Sequence, residues 1–360
     1  MFNQHRPTLA EINLANITSN FKTYQSMHSQ KTLIPVVKAN AYGHGAIEVV
    51  NALKSIGVSL FAVSLIEEAV ELREFHDDID ILVMGPITFE SFITAVKHNL
   101  IITLFEHEIL EAALMSNLSI RCHVKFDSGM NRLGFKSIEE TVELFKKAQQ
   151  SSIIIEGIFT HFSTAELNND YLKMQNKQFS DLIKVLPFKP AIIHASNTSA
   201  LLKLERNNDF TTHARLGIGL YGLSLDDEKH HLKPAMVVKS KVAHLKHLKK
   251  GESVGYGATY TAQGNEMIAV IPIGYADGII RSNKNGYVSI NNRKFPIVGS
   301  ICMDMIFVKV DKNVEKMDSV IIMGDKIVTI DDVAERLDTI NYEVVCLISS
   351  RVPRHYIERQ

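Results

Sequence analysis

Between residues 33 and 215 the chain lays down eight short apolar runs, at 33–37, 60–63, 79–83, 101–104, 120–126, 153–159, 191–194 and 211–215. They are too short for helices and rich in β-branched residues, so they read as strands buried in a parallel sheet. Helical segments lie between them, among them Ala46–Lys54, Ile66–Phe75, Phe89–His98, Ile138–Gln149 and Tyr171–Leu186. Strands and helices taking turns over roughly 190 residues fit a (β/α)8 barrel better than an open sheet. The last two runs are the weakest members of the count.

The pattern changes after the polar stretch Asp226-Asp227-Glu228-Lys229-His230-His231, which reads as a linker. Val237–Leu245, Met267–Ile271, Tyr287–Ile290, Phe295–Val298, Met305–Val310 and Ser319–Met323 then read as strands parted by Gly, Asn and Lys turns, with one helix near Ile330–Leu337. The expected division is therefore a barrel over 1–231 and a mostly β domain over 232–360. Near the start, Thr8-Leu9-Ala10-Glu11-Ile12 alternates like a strand, a candidate to pair with the C-terminal domain. Asn13 or Asn16 is placed to cap the next helix, through Phe21 to Met27. His244 and His247 are three apart in a strand and so face opposite sides. They read as surface residues, and no metal is expected.

At 360 residues and 46 % hydrophobic, the chain can bury a large core. A net charge of -1 gives no electrostatic case for nucleic acid or an anionic membrane. Cys122, Cys302 and Cys346 are too scattered for a disulfide framework, which makes a reducing cytoplasm the simplest compartment. The start lacks the apolar core of a signal peptide, and no run approaches the ~18 apolar residues of a membrane span.

Barrel enzymes carry their chemistry where strands end and loops begin. At the first such end, Val36-Val37-Lys38-Ala39-Asn40-Ala41-Tyr42-Gly43-His44-Gly45 puts a lysine where the chain leaves the core. Desolvation there lowers an amine's pKa and readies it to attack a carbonyl. The residue also reads as an ordinary lysine with its stem packed and its ammonium in water. Later strand ends give Lys125–Arg132, Thr160-His161-Phe162, His194–Thr198 and Arg215–Gly219. Asn197-Thr198 is an ordinary N-cap or an anion site, and Gly217 allows close backbone approach. With a strand-end lysine these point to a phosphorylated aldehyde, pyridoxal 5′-phosphate.

Taken together the motifs resemble the alanine racemase family, from about residue 8 to the C-terminus. They are Val37–Gly45, Lys125–Gly134, Thr160–Phe162, Arg215–Ile218, Tyr256–Tyr260, Gly274–Gly278, Cys302–Asp304, Ile340–Glu343 and Arg351–Arg354. The resemblance implies a racemase that interconverts L- and D-alanine, in bacteria for the cell wall, with Lys38 and Tyr256 as the two bases. It implies that Lys38 holds the cofactor and that Tyr42, His161, Asn197, Thr198, Arg215, Gly217, Ile218 and Tyr342 surround it. Arg132 and the Met303 backbone N–H would bind the substrate carboxylate, and Lys125 would be carbamylated. Tyr275, Arg281, Glu166 and Ser300 would line the channel. It also implies a homodimer with shared sites.

From the residues alone, Tyr256 and Tyr275 read equally as packing or turn residues. Ser300 stands where the family pattern has an arginine, and Met305 where it has glutamine. Glu166 replaces an aspartate and Thr198 a serine. The first two changes leave a broader amino-acid racemase as the alternative. A pyridoxal-phosphate binder without catalysis is more distant, because that type lacks a β domain. A barrel-type decarboxylase would have to release the carboxylate that Arg132 and Met303 hold.

Overall fold

A computed structural model describes residues 5–167, 169–203, 210–224 and 232–358. The described residues form two compact units, and the chain crosses between them more than once. One takes in 17–41 and 46–232, the other 1–16, 42–45 and 233–360. The stretch 226–231, a linker by its composition, lies outside the described residues.

In the first unit eight parallel strands close on themselves. They are β2 (Thr32–Pro35), β3 (Leu60–Val63), β4 (Asp80–Val83), β5 (Ile102–Leu104), β6 (Arg121–Lys125), β7 (Ile154–Phe159), β8 (Ile192–His194) and β9 (His213–Leu216). Six of them run in the order β2-β9-β8-β7-β6-β5, and β3 pairs with β4. Bridges at Val36–Ala62 and Leu82–Ile101 join the two sets into a ring. Every residue of β3 and of β5 is buried, as strands covered on both faces must be. The helices between them obey local rules. Ser137 accepts the Glu140 N–H at the start of the helix Ile138–Ala148, whose first turn is acidic and last turn basic. Ala46–Lys54 turns Val49, Val50 and Leu53 inward.

The second unit is mostly β. Its larger sheet has the order Arg293–Pro296, Tyr287–Ile290, Ser319–Met323, β10 (Met236–Lys241), β1 (Leu9–Asn13), Arg354–Ile357. Here β1 lies antiparallel to β10, Ala10 opposite Val238, and parallel to the last strand, Ala10 opposite Arg354. Its side chains alternate between half-buried and buried, the pattern of a sheet with one packed face. Asn13 Oδ1 then accepts the Asn16 N–H, so of the two candidate caps it is Asn13 that serves the helix Leu14–Met27. A second sheet holds β11 (His244–Leu248), Glu266–Ile271 and Ile306–Val310. The single strand expected over Val237–Leu245 is thus two, β10 and β11, in different sheets. Val242 and Ala243 between the two carry no Gly, Pro or Asn to mark where the chain leaves one sheet for the other. Among the described residues no helix is long and apolar enough to cross a membrane.

Candidate active site

Lys38 sits just past β2, and the next four residues have an unusual backbone. Ala39, Asn40, Ala41 and Tyr42 all have φ near +52, a left-handed turn built without glycine. For L-residues with a Cβ this conformation costs about 1–2 kcal/mol each. The turn is held by named bonds. The Ala39 N–H goes to Glu68 Oε1 at 2.6 Å, the Ala41 N–H to the Val37 carbonyl at 2.8 Å, and Asn40 Oδ1 accepts the Ala46 N–H at 2.8 Å. Tyr42 already belongs to the second unit. There its ring lies 6.0 Å from that of Tyr342, and Gly43 comes so close to the Val345 carbonyl that a Cβ would sit 2.6 Å from it.

Opposite strand ends of the barrel supply a chain of buried polar groups. Arg215, 3 % exposed, donates from Nη1 to His194 Nδ1 at 2.9 Å and from Nη2 to His161 Nδ1 at 3.0 Å. Nη2 also reaches the Thr160 and Ala195 carbonyls, both at 2.9 Å. A guanidinium has no acceptor, so these bonds fix the tautomers. His194 accepts at Nδ1 and therefore carries its proton on Nε2, which donates to His123 Nδ1 at 3.0 Å. His161 accepts at Nδ1 and keeps its proton on Nε2. Burial, and then Arg215, hold both His161 and His194 well below the usual imidazole range, so both stay neutral. For His123 burial, then His213, Arg121 and Arg215, lower the value to about 3. Gly157 makes room for that imidazole, since a Cβ there would lie 2.7 Å from its ring.

Lys125 ends β6 and is 5 % exposed, its Nζ 4.8 Å from the centre of the Phe159 ring. Burial, then the charges of Arg215 and Arg132, bring its amine down to about 7 against a smaller opposing pull from Asp127. The loop after it is tightly tied. Asp127 Oδ1 accepts the Gly129 and Asn131 N–H groups, both at 3.0 Å, and Tyr171 donates to the Gly129 carbonyl at 2.6 Å. Gly134, at φ +120, lets the loop fold back, for a Cβ there would be 2.8 Å from the Asp127 nitrogen. Arg132 is exposed on this loop. His161 lies in the field of four basic side chains, namely Arg215, Lys125, Arg132 and Lys38. The barrel thus brings these five residues together.

Beyond β8, Asn197 Oδ1 accepts the Ala200 N–H, and Thr198 opens the helix Thr198–Lys203 rather than preceding it. Thr198 Oγ1 takes the N–H groups of Gly217 at 3.1 Å and Gly219 at 3.4 Å, which places Ile218, buried, between them. Glu166 is half-buried, and its carbonyl accepts from Lys203.

The remaining candidates lie in the second unit. Tyr256 is 74 % exposed, Met303 51 %, Met305 46 % and Tyr275 40 %. Ser300 donates to the Tyr256 carbonyl at 3.0 Å and meets the Thr259 hydroxyl at 3.1 Å, so it braces the turn that carries Tyr256. The Ala276 N–H bonds the Met303 carbonyl at 3.1 Å, joining the turn of Tyr275 to the Met303 segment. Arg281 is exposed in the short helix Arg281–Asn285.

Three groups are given no role by the sequence, although His194 opens one of the strand ends and Asp277, Asp304 and Arg351 lie in motifs quoted above. His123 and His194 form the buried chain behind Arg215, and a signal existed, because His123 shares a strand face with Lys125 two residues on. Glu68 carries no motif of its own. Asp277, fully buried, accepts from Arg6 at 2.9 Å and from the Gly274 N–H at 3.0 Å, and Arg351 reaches Asp304 at 2.6 Å beside Met303.

Comparisons with known proteins agree with this geometry. Residues 12–225 match the family described as alanine racemase, N-terminal domain, and 235–356 match alanine racemase, C-terminal domain. An alanine racemase of Streptococcus uberis is 40 % identical, covering 98 % of each chain. The crystal structure of the alanine racemase from E. faecalis superposes with a TM-score of 0.93 at 36 % identity, over 99 % of both chains. That from Bacillus anthracis, with bound L-Ala-P, gives 0.92 at 32 % identity, over 98 % of this chain and 96 % of the other.

Proposed function

Since this chain belongs to the alanine racemase family, we propose that it interconverts L- and D-alanine with pyridoxal 5′-phosphate, in the cytoplasm, as a homodimer. The observation that carries the reading is the end of the barrel where Arg215 donates to a neutral His161 that also feels Lys125, Arg132 and Lys38. The donor set fits a phosphorylated aldehyde. It offers an amine at a strand end, an arginine aligned by two imidazoles, and the Thr198 hydroxyl, which accepts from the Gly217 and Gly219 N–H groups and so keeps its own proton to donate. Lys38 would hold the cofactor covalently, Arg215 would face its ring nitrogen, and Asn197, Thr198, Gly217 and Ile218 would lie at its phosphate. The family resemblance would add Tyr42 and Tyr342, whose rings lie 6.0 Å apart, to the cofactor's surroundings. When bound, the cofactor supplies a sink for the electrons released as the substrate Cα–H ionises.

This chain's own groups then govern the protons. Lys38 works on one face of Cα and Tyr256 of a second copy on the other, because one base does not readily serve both faces. Arg132 and the Met303 N–H orient the carboxylate and keep it from leaving. Arg215 cannot surrender a proton, so a ring nitrogen facing it would remain unprotonated and the sink would be weak, which would favour returning each proton to the same carbon. The exposure of Tyr256 and Met303 on the β unit suits residues that serve a partner's barrel. Incubated with the cofactor and L-alanine in D2O, the protein is expected to yield D-alanine carrying deuterium at Cα. Exchange with no change of chirality would overturn the reading.

Lys125 is expected to be carbamylated. Its amine, brought down to about 7, is about half free base at neutral pH, and that form can add to carbon dioxide, releasing one proton. The product is an anion that would hold Arg132, where an ammonium would repel it by about 1–4 kcal/mol at 4 Å. Labelled bicarbonate should give one carbamate carbon signal that disappears in Lys125→Ala. An intact mass and spectrum without that carbon would count against it.

A further inference from the structure

We propose that Glu68 is a positioning residue for Lys38, acting through the backbone of the left-handed turn. The inference rests on the reading that Lys38 carries the cofactor. One carboxylate collects three backbone N–H groups. Oε1 takes that of Ala39 at 2.6 Å, and Oε2 takes those of Ser64 at 2.9 Å and Leu65 at 3.0 Å. Ser64 and Leu65 connect β3 to the helix Ile66–Phe75, so a bond from the first turn of that helix to Leu65 is ordinary capping. The bond to Ala39 is not, because Ala39 belongs to the neighbouring strand end. There β2 and β3 meet at the Val36–Ala62 bridge and the Val37 N–H to Ala62 carbonyl bond of 2.8 Å.

The geometry explains why a carboxylate suits this place. The Ala39 N–H lies in the peptide plane that begins at the Lys38 carbonyl carbon. Fixing that N–H fixes the rotation at Lys38 and so the direction in which its side chain leaves the backbone. The residues beyond it, at φ +52 to +53, press toward ordinary backbone conformations, and a charge-assisted bond at the first of them opposes that pressure. Glutamine has a single acceptor oxygen. It can serve Ala39 or the Ser64–Leu65 pair but places an amide N–H against the other.

The test compares wild type, Glu68→Gln, and Glu68→Gln with Ala39→Gly, all as holoenzyme. It measures the rate of cofactor loss on dilution, the yield of pyridoxyl group trapped on Lys38 by borohydride, and thermal melting. Glu68→Gln is expected to raise the loss rate about tenfold and lower the trapped yield. Glycine at 39 takes φ +52 without a steric penalty, so the double variant should recover much of both. A cap-only role would track the melting temperature and ignore the glycine, and that outcome overturns the proposal. So does a Glu68→Gln protein with the wild-type loss rate. Wild-type protein that traps nothing on Lys38 overturns the cofactor reading instead, and the role of Glu68 with it. Should Glu68→Gln fold poorly, Glu68→Asp, which keeps the charge but falls short of Ala39, serves the same comparison.

Discussion

Chains bearing Lys38→Ala and chains bearing Tyr256→Phe, each inactive alone, should regain up to about a quarter of wild-type racemisation when unfolded together and refolded as a mixture. Removing Lys38 takes away both the cofactor's anchor and one base, so activity should fall to background. Removing the Tyr256 hydroxyl takes away the base for the other face, a loss of at least about 10²-fold. Recovery depends on sharing. Random pairing makes half the dimers mixed, and a mixed dimer has one site with both bases and one with neither. Racemisation rates and the fraction of mixed dimers, read by mass, check the prediction. Mixed dimers without activity would mean that each chain uses its own Tyr256.

The second large effect is on acid stability. His123, His161 and His194 are neutral in the folded chain because burial, first of all, holds their values down. In the unfolded chain they charge below about pH 6.5. The unfolded state therefore binds more protons as pH falls through 6.5, and stability is lost from there down to the folded values. For His123, lowered to about 3, the full effect by that pH is on the order of 5 kcal/mol. Near pH 5 the three together should make unfolding free energy fall by about 4 kcal/mol per pH unit. Urea titrations between pH 7 and 4.5 measure that slope. His123→Asn keeps an acceptor for His194 and should reduce the slope by about 1.4 kcal/mol per pH unit. An unchanged slope in that variant would show that His123 is not held neutral.

The barrel is legible in the sequence because its strands are buried on both faces, and such segments as Leu60-Phe61-Ala62-Val63 have no other reading at that length. Strand ends then lead to Lys38, Lys125, His161 and Arg215 by position alone. The features that escape depend on contacts across the sheet. Gly43 and Gly45 are the residues that signal a turn, yet the left-handed backbone begins four residues earlier in Ala39-Asn40-Ala41-Tyr42, where apart from Asn40 no residue favours it. Only the bonds from Glu68 and Asn40 make it visible. Asn197 is one of several candidate groups in the sequence, and it caps its helix as the residue type predicts. Ser300 suggests an opened channel when read as a missing arginine, but its hydroxyl is bound to the Tyr256 carbonyl, a contact between segments 44 residues apart.

The position of β1 bears on how the chain is made. The strand is made before the barrel, yet its antiparallel neighbour, β10, is made only after the whole barrel, and its parallel neighbour, Arg354–Ile357, later still. The barrel's strands pair largely with near neighbours in sequence and can close while the ribosome is still working, apart from β2, which must wait for β9. Throughout that time Leu9–Asn13 remains an open edge with unpaired N–H and C=O groups. Glu11 and the alternation of Leu9–Asn13 keep that waiting edge from being apolar on both sides. The β unit thus closes around β1, and only after Arg354–Ile357 has been made can it do so.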